Sequence, residues 1–155
     1  MIFTFGYEGL SLARFFSTLQ LNDIECIVDV RQMPLSRKKG FSKNALAESA
    51  ESHNIDYIHK VALGCPRFIR DQYRLDNDWQ NYERQFQRYI ETQNEEIDAL
   101  ISLCAQQRCC LLCFEANALS CHRSLVARRS RDLSNTPLEI VHLTAALADP
   151  YQVLA

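Results

Sequence analysis

Short, almost wholly apolar runs alternate with segments of helical period along most of this chain, and that alternation restricts the fold more than any other feature. Ile2 to Phe5 ends at Gly6, and Ser11 then precedes Leu12, Phe15, Phe16 and Leu19, an i, i+3, i+4, i+7 stripe that predicts a helix capped by the serine. Ile24 to Val30 is short, branched and almost wholly apolar, as expected of a strand covered on both faces. A loop from Arg31 to Phe41 leads to Ser42, an expected N-cap for a helix reaching about His53, and Ile55 to Ile58 gives a third strand. From Val61 to Asn77 the pattern fails: Gly64-Cys65-Pro66 breaks the chain, and a long loop with at most a helical turn is expected. Trp79, Tyr82, Phe86, Tyr89 and Ile90 form a helical stripe, and Asn94 is placed to cap another helix through Ile97, Leu100, Ile101 and Cys104. Cys109 to Phe114 reads as a strand, Ser120 as the cap of a helix from Cys121 to about Leu133, and Leu138 to Val141 as a last strand ending at His142.

This order predicts a single α/β domain over residues 1–155, with a mostly parallel sheet of about five strands and helices on both faces. Strand order is not legible, but one consequence does not need it. Parallel strands all point the same way, and ligands of such sheets sit beyond the carboxyl ends. Acidic and basic residues nearly balance at a formal charge of −2, so no global basic field draws the chain onto nucleic acid or an anionic membrane. Any anion site must be local. No apolar run approaches the roughly 18 residues of a membrane span, and the N-terminus has no basic stretch followed by an apolar core, so a cytoplasmic protein without membrane contact is expected. The seven cysteines are an odd set, several within apolar runs, which fits reduced thiols better than a disulfide framework. Cys110 and Cys113 have Cys-x-x-Cys spacing, but within a strand they would face opposite ways.

Each expected strand exit carries polar residues: Gly6-Tyr7-Glu8-Gly9, then Asp29-Val30-Arg31 with Ser36-Arg37-Lys38-Lys39, then His59, then Glu115 and Cys121-His122-Arg123, and finally His142. A parallel sheet would gather them at one edge. The combination "TFGYEGLSLARF", "IVDVRQMPLSRKKGFSK", "YIHKVALG" and "LLCFEANALSCHR" followed by "VHL" resembles the Domain of Unknown Function 488 family, over nearly the whole chain. The resemblance implies an α/β domain with these motifs grouped at one site, and no particular activity. Two positions depart from the family pattern: Cys65 stands where a second glycine is usual, and Phe114 replaces a smaller residue.

A cleft that binds a phosphate-bearing ligand, a nucleotide or a nucleic-acid end, is the first functional expectation. Its contacts would come from Tyr7, Asp29, Arg31, Arg37, Lys43, His59, Arg123 and His142, with Arg123 offering a fork to an anion near the first turn of its helix. Asp29 could instead simply hold the loop that follows it, and Lys38-Lys39 could be a solvated run. The alternative is a cysteine-dependent transferase or hydrolase. Cys121 at a helix start would be the nucleophile, with His122, His59 or His142 carrying protons and Glu115 as general base or as a salt-bridge partner. Asp29-Val30-Arg31 resembles a rhodanese-like strand exit, but no Cys-x5-Arg loop accompanies it. A third reading is an interaction scaffold using the Trp79 to Tyr89 stripe, unless that stripe is core. His59, His122, His142, Cys113, Cys121, Glu115 and Asp29 supply metal donors without a diagnostic spacing, so no metal site is assigned and the cofactor stays unknown.

Overall fold

Strands of four or five apolar residues cannot bury both their faces against one another, so each must be covered by helices above and below. The computed structural model, which describes residues 1–145, solves this with a five-stranded parallel sheet in the order β3-β2-β4-β1-β5. The strands are β1 (Ile2–Gly6), β2 (Cys26–Asp29), β3 (Asp56–His59), β4 (Cys109–Cys113) and β5 (Ile140–His142). The helices are α1 (Leu12–Leu21), α2 (Lys43–Ser52), α3 (Arg67–Asp76), α4 (Trp79–Ile90), α5 (Asn94–Gln106) and α6 (His122–Leu133).

Side-chain alternation along the strands separates two cores. Phe3, Phe5, Ile27, Cys110 and Leu112 face α1 and α2, packing with Phe15, Phe16, Leu19, Leu46 and Ala50. Ile2, Cys26, Val28, Cys109 and Leu111 face the other way, onto Ile69, Phe86, Ile90, Ile97, Leu100 and Val126 of α3 to α6. β4 is wholly buried at the centre, whereas β3 and β5 are the partly exposed edges. Cys110 and Cys113 lie on opposite faces, as the strand period requires.

The stretch expected as a loop after Val61 is mostly helix. A 3-10 turn over Val61–Leu63 leads to Pro66, which initiates α3, and Asn77 ends α3 in the left-handed region at φ 52°. Proline before the first helical residue starts a helix as readily as it interrupts one. Ile69 is its sole buried residue, so the apolar stripe that marks other helices is missing. The Trp79 to Tyr89 stripe belongs to the core: Tyr82, Phe86 and Ile90 are buried, and Trp79 stacks on Tyr82 with ring centroids 4.7 Å apart. Three caps differ from expectation, the first being that of α5, which starts at Asn94 with Gln93 as its cap. Ser42 uses its hydroxyl to tie the preceding loop, accepting from the Ser36 amide at 3.0 Å, and α6 is capped at Cys121 rather than Ser120. Among the described residues no helix is long and apolar enough to cross a membrane.

Candidate functional site

A crevice opens where neighbouring strands send their following helices to opposite faces. β1 and β2 lead into α1 and α2 on one face, while β4, lying between them, leads into α6 on the other. At that point lies a cleft of about 640 Å³, lined by Tyr7 after β1, Arg31 to Arg37 after β2, Cys113 to Glu115 at the end of β4, and Arg70, Tyr73, Arg74, Trp79 and Tyr82 from α3 and α4. The strand exits are tied together by main-chain bonds: the Tyr7 amide donates to Cys113 and the Glu8 amide to Phe114, while the Glu8 carboxylate accepts from the Ala116 amide at 2.9 Å. Gly6 belongs to this seam. A Cβ at that position would lie 1.8 Å from the Glu115 carbonyl oxygen, so the glycine makes room for the β4 exit.

Asp29 and Arg31 form the frame of one wall. Asp29 is fully buried; its carboxylate accepts from Arg31 Nε at 2.9 Å, Arg31 Nη2 at 2.7 Å, the Arg31 amide and the Tyr57 hydroxyl. Arg31 Nη1 donates to the Phe41 carbonyl at 2.7 Å and to the Tyr7 hydroxyl at 3.2 Å. Burial works against the Arg31 charge, but the bonds to Asp29 outweigh it and raise the pKa further. Asp29 therefore holds its own loop, and His59 helps by bonding the Arg31 carbonyl through Nε2 at 2.8 Å.

Thiols and an imidazole form the floor. His122 is buried with Phe86 packed edge-on against its ring, and its Nε2 lies 2.7 Å from the Val30 carbonyl oxygen. A carbonyl can only accept, so Nε2 carries the proton and Nδ1 points at sulfur: Cys113 Sγ at 3.7 Å and Cys121 Sγ at 4.0 Å. Cys113 Sγ is also 3.3 Å from Glu115 Oε2. Burial opposes protonation of His122, but bonds to Cys121 and Val30 and the nearby Glu115 carboxylate raise its pKa. Burial, and then the adjacent Cys113, pushes the Cys121 thiol well above its ordinary value, and burial pushes Cys65 up to about 12.

Of the residues expected at the site, Tyr7, Arg31, Arg37, Glu115 and His122 line the cleft and Asp29 supports it from behind. Cys121 is 2 % exposed and does not line the cleft; the cysteines among the lining residues are Cys113 and Cys65. Arg123 is fully buried, and its expected fork serves the protein itself. It donates to the Glu115 carbonyl at 2.5 Å, the Ala116 carbonyl at 3.3 Å and Thr4 Oγ1 at 3.2 Å. Lys43, His59 and His142 are not among the lining residues: Lys43 is exposed on α2, and His142 bonds Thr4 Oγ1 at the sheet edge. Arg70 and Arg74 are the additions that the loop assignment concealed, since only on a helix does their i, i+4 spacing put them on one face.

The sequence profile described as domain of unknown function DUF488 matches residues 11–130. The chain belongs to the DUF488 family. The matched span starts at the cap of α1 and ends within α6, so it contains the Asp29–Arg31 wall and the Cys113–His122 floor. No curated protein and no solved structure matched the chain. Cys65 and Phe114, the two positions expected to depart from the family, both lie in the cleft lining, where Cys65 is buried and Phe114 packs edge-on against Tyr7 at 5.3 Å.

Proposed function

We propose that this DUF488 protein binds a phosphate-bearing ligand, a nucleotide or a nucleic-acid end, in the cleft at the carboxyl edge of its sheet. The observation that carries this reading is Arg37, an exposed guanidinium lining the cleft without a hydrogen-bond or ion-pair partner among the described residues. Arg31, Arg70 and Arg74 line the same space, and Glu115 is the one acidic side chain among the lining residues. Arg31 is neutralised by Asp29 and Arg74 lies 3.7 Å from Asp71, so Arg37 and Arg70 carry the local positive excess against Glu115, which favours an anion there. Tyr7, Tyr73 and Trp79, with the exposed apolar side chains of Met33, Leu35 and Phe114 at the rim, suit a planar group attached to that anion.

Trp79 is the sole tryptophan of the sequence and lines the cleft, so its fluorescence reports occupancy. Nucleotides and short oligonucleotides with and without a 5′ phosphate would be titrated against wild type, Arg37→Ala and Lys43→Ala. Phosphorylated ligands bind wild type, weaken with added salt, and bind Arg37→Ala about tenfold less tightly, as loss of one charge-assisted bond implies. Lys43→Ala stays at wild-type affinity. Equal, salt-insensitive binding by wild type and Arg37→Ala overturns the proposal.

A further inference from the structure

Four of the buried cysteines behave as small hydrophobes: Cys26, Cys65 and Cys109 sit in one apolar core and Cys110 in the other. Cys113 and Cys121 belong to neither core. Their sulfurs and His122 Nδ1 instead lie within 4.8 Å of one another, with the two S···N separations at 3.7 and 4.0 Å. Tetrahedral zinc with its usual bond lengths sets neighbouring S and N donors about 3.5–3.8 Å apart, so a small inward movement of the side chains completes the geometry. The imidazole is already oriented for it. Nε2–H is held by the Val30 carbonyl and the ring is wedged by Phe86, which leaves the Nδ1 lone pair aimed at the sulfurs. A main-chain acceptor on the far nitrogen is the usual second-shell arrangement of a ligating histidine. Cys121 caps the twelve-residue helix α6, whose N-terminal dipole offsets part of the burial acting on its thiol, and a bound cation displaces the thiol proton.

We propose that Cys113, Cys121 and His122 bind one Zn²⁺ at the floor of the cleft, with the fourth coordination position turned toward the arginine-lined space. Two thiolates balance the ion's charge, and a set of two sulfurs and one nitrogen selects a borderline or soft cation over Mg²⁺ or Ca²⁺. The fourth position faces outward because Cys113 and His122 line the cleft while Cys121 lies behind them. Three protein ligands with one open position is the arrangement of reactive rather than purely structural zinc. Glu115, beside Cys113 at 3.3 Å, is the nearest acidic group to that opening. The site stands independently of the ligand proposed above, since its readout is the metal.

The full chain would be stripped with a chelator and titrated with Zn²⁺ against a chromophoric competitor, and with Co²⁺ as a spectroscopic substitute. Wild type takes up one Zn²⁺ per chain, and Co²⁺ gives thiolate charge-transfer absorption with the intense visible bands of a tetrahedral ion. Cys113→Ser, Cys121→Ser and His122→Gln each lower Zn²⁺ affinity at least about 100-fold. Cys110→Ser, equally buried on the opposite face, leaves it unchanged. Because a ligand variant can also unfold, the wild type supplies a second test: Zn²⁺ raises its Tm in proportion to the logarithm of free metal. No stoichiometric Zn²⁺ on folded wild type, an octahedral Co²⁺ spectrum without charge transfer, or equal loss in Cys110→Ser overturns the site.

Discussion

Arg31 and Arg123 look alike in the sequence, each a basic residue at a strand exit or helix start, yet their surroundings give them different work. Arg31 is bound by two nitrogens to the buried Asp29 carboxylate, whereas Arg123 is fully buried and, among the described residues, pairs with no carboxylate. Sequence reasoning could anticipate that Asp29 would hold its own loop, because a short acidic side chain at a turn does this locally. It could not anticipate Arg123, whose acceptors are two main-chain carbonyls brought up by another turn and the Thr4 hydroxyl of β1. Asp29→Asn removes the charge opposite a guanidinium that stays buried, and we expect a loss of about 3 kcal/mol in urea unfolding with an unchanged m-value. Arg123→Lys keeps the charge but not the fork. It leaves a part-buried carbonyl without its donor and should cost roughly 1 kcal/mol by the same measurement. His142 extends the same chain of bonds to the sheet edge: Arg123 Nε donates to Thr4 Oγ1, whose hydroxyl can donate in turn to His142 Nδ1. Desolvation, then Arg123 and Arg128, lowers the His142 pKa. The folded state therefore binds its proton less readily than the unfolded chain, and stability is lost as pH falls through the ordinary histidine range of about 6.5. His142→Gln should lose less stability than wild type between neutral pH and about pH 5.5, measured as Tm against pH.

At the scale of elements, α3 shows why one wall of the site was not legible. A helix announces itself by an apolar stripe, and α3 buries Ile69 alone while turning Arg70, Tyr73 and Arg74 toward the cleft. Its arginines were visible in the sequence; their shared face was not. The turn before α3 has a constraint of its own. Gly64 adopts an ordinary extended conformation, φ −76° and ψ 155°, so backbone freedom does not explain it. Space does: a Cβ there would lie 2.5 Å from the Gln32 amide nitrogen and 2.6 Å from its Cα. Neither neighbour can swing aside, because both are main chain. Gly64→Ala should therefore displace the start of the loop bearing Arg31 and Arg37, costing about 1–3 kcal/mol and weakening phosphate-ligand binding together with stability. Thermal unfolding and the Trp79 titration on one preparation check this; a variant as stable as wild type would mean that the Gly64–Gln32 approach relaxes freely.

For the whole molecule, the alternation of strand and helix was enough to predict a parallel sheet and to bring Tyr7, Arg31, Arg37, Glu115 and His122 to its carboxyl edge. The missing information was strand order. β4 comes late in the chain but inserts between β1 and β2, and this insertion alone sets the Cys113–His122 floor beside the Asp29–Arg31 wall. No local signal in the sequence encodes an insertion of that kind, since it is decided by which faces the intervening helices α3 to α5 cover. The same arrangement predicts an unequal distribution of stability. β4 pairs with β1 and β2 along its length and is buried on both faces, so its amides reach solvent only when the centre of the sheet opens. β5 is a three-residue edge strand, partly exposed and paired to β1 alone. Native-state hydrogen exchange should therefore give Leu111 and Leu112 opening free energies equal to global unfolding, with Val141 and His142 opening well below that value. If β4 and β5 instead open together, the sheet is not organised around β4, and the floor and the wall of the cleft are not held by one cooperative unit.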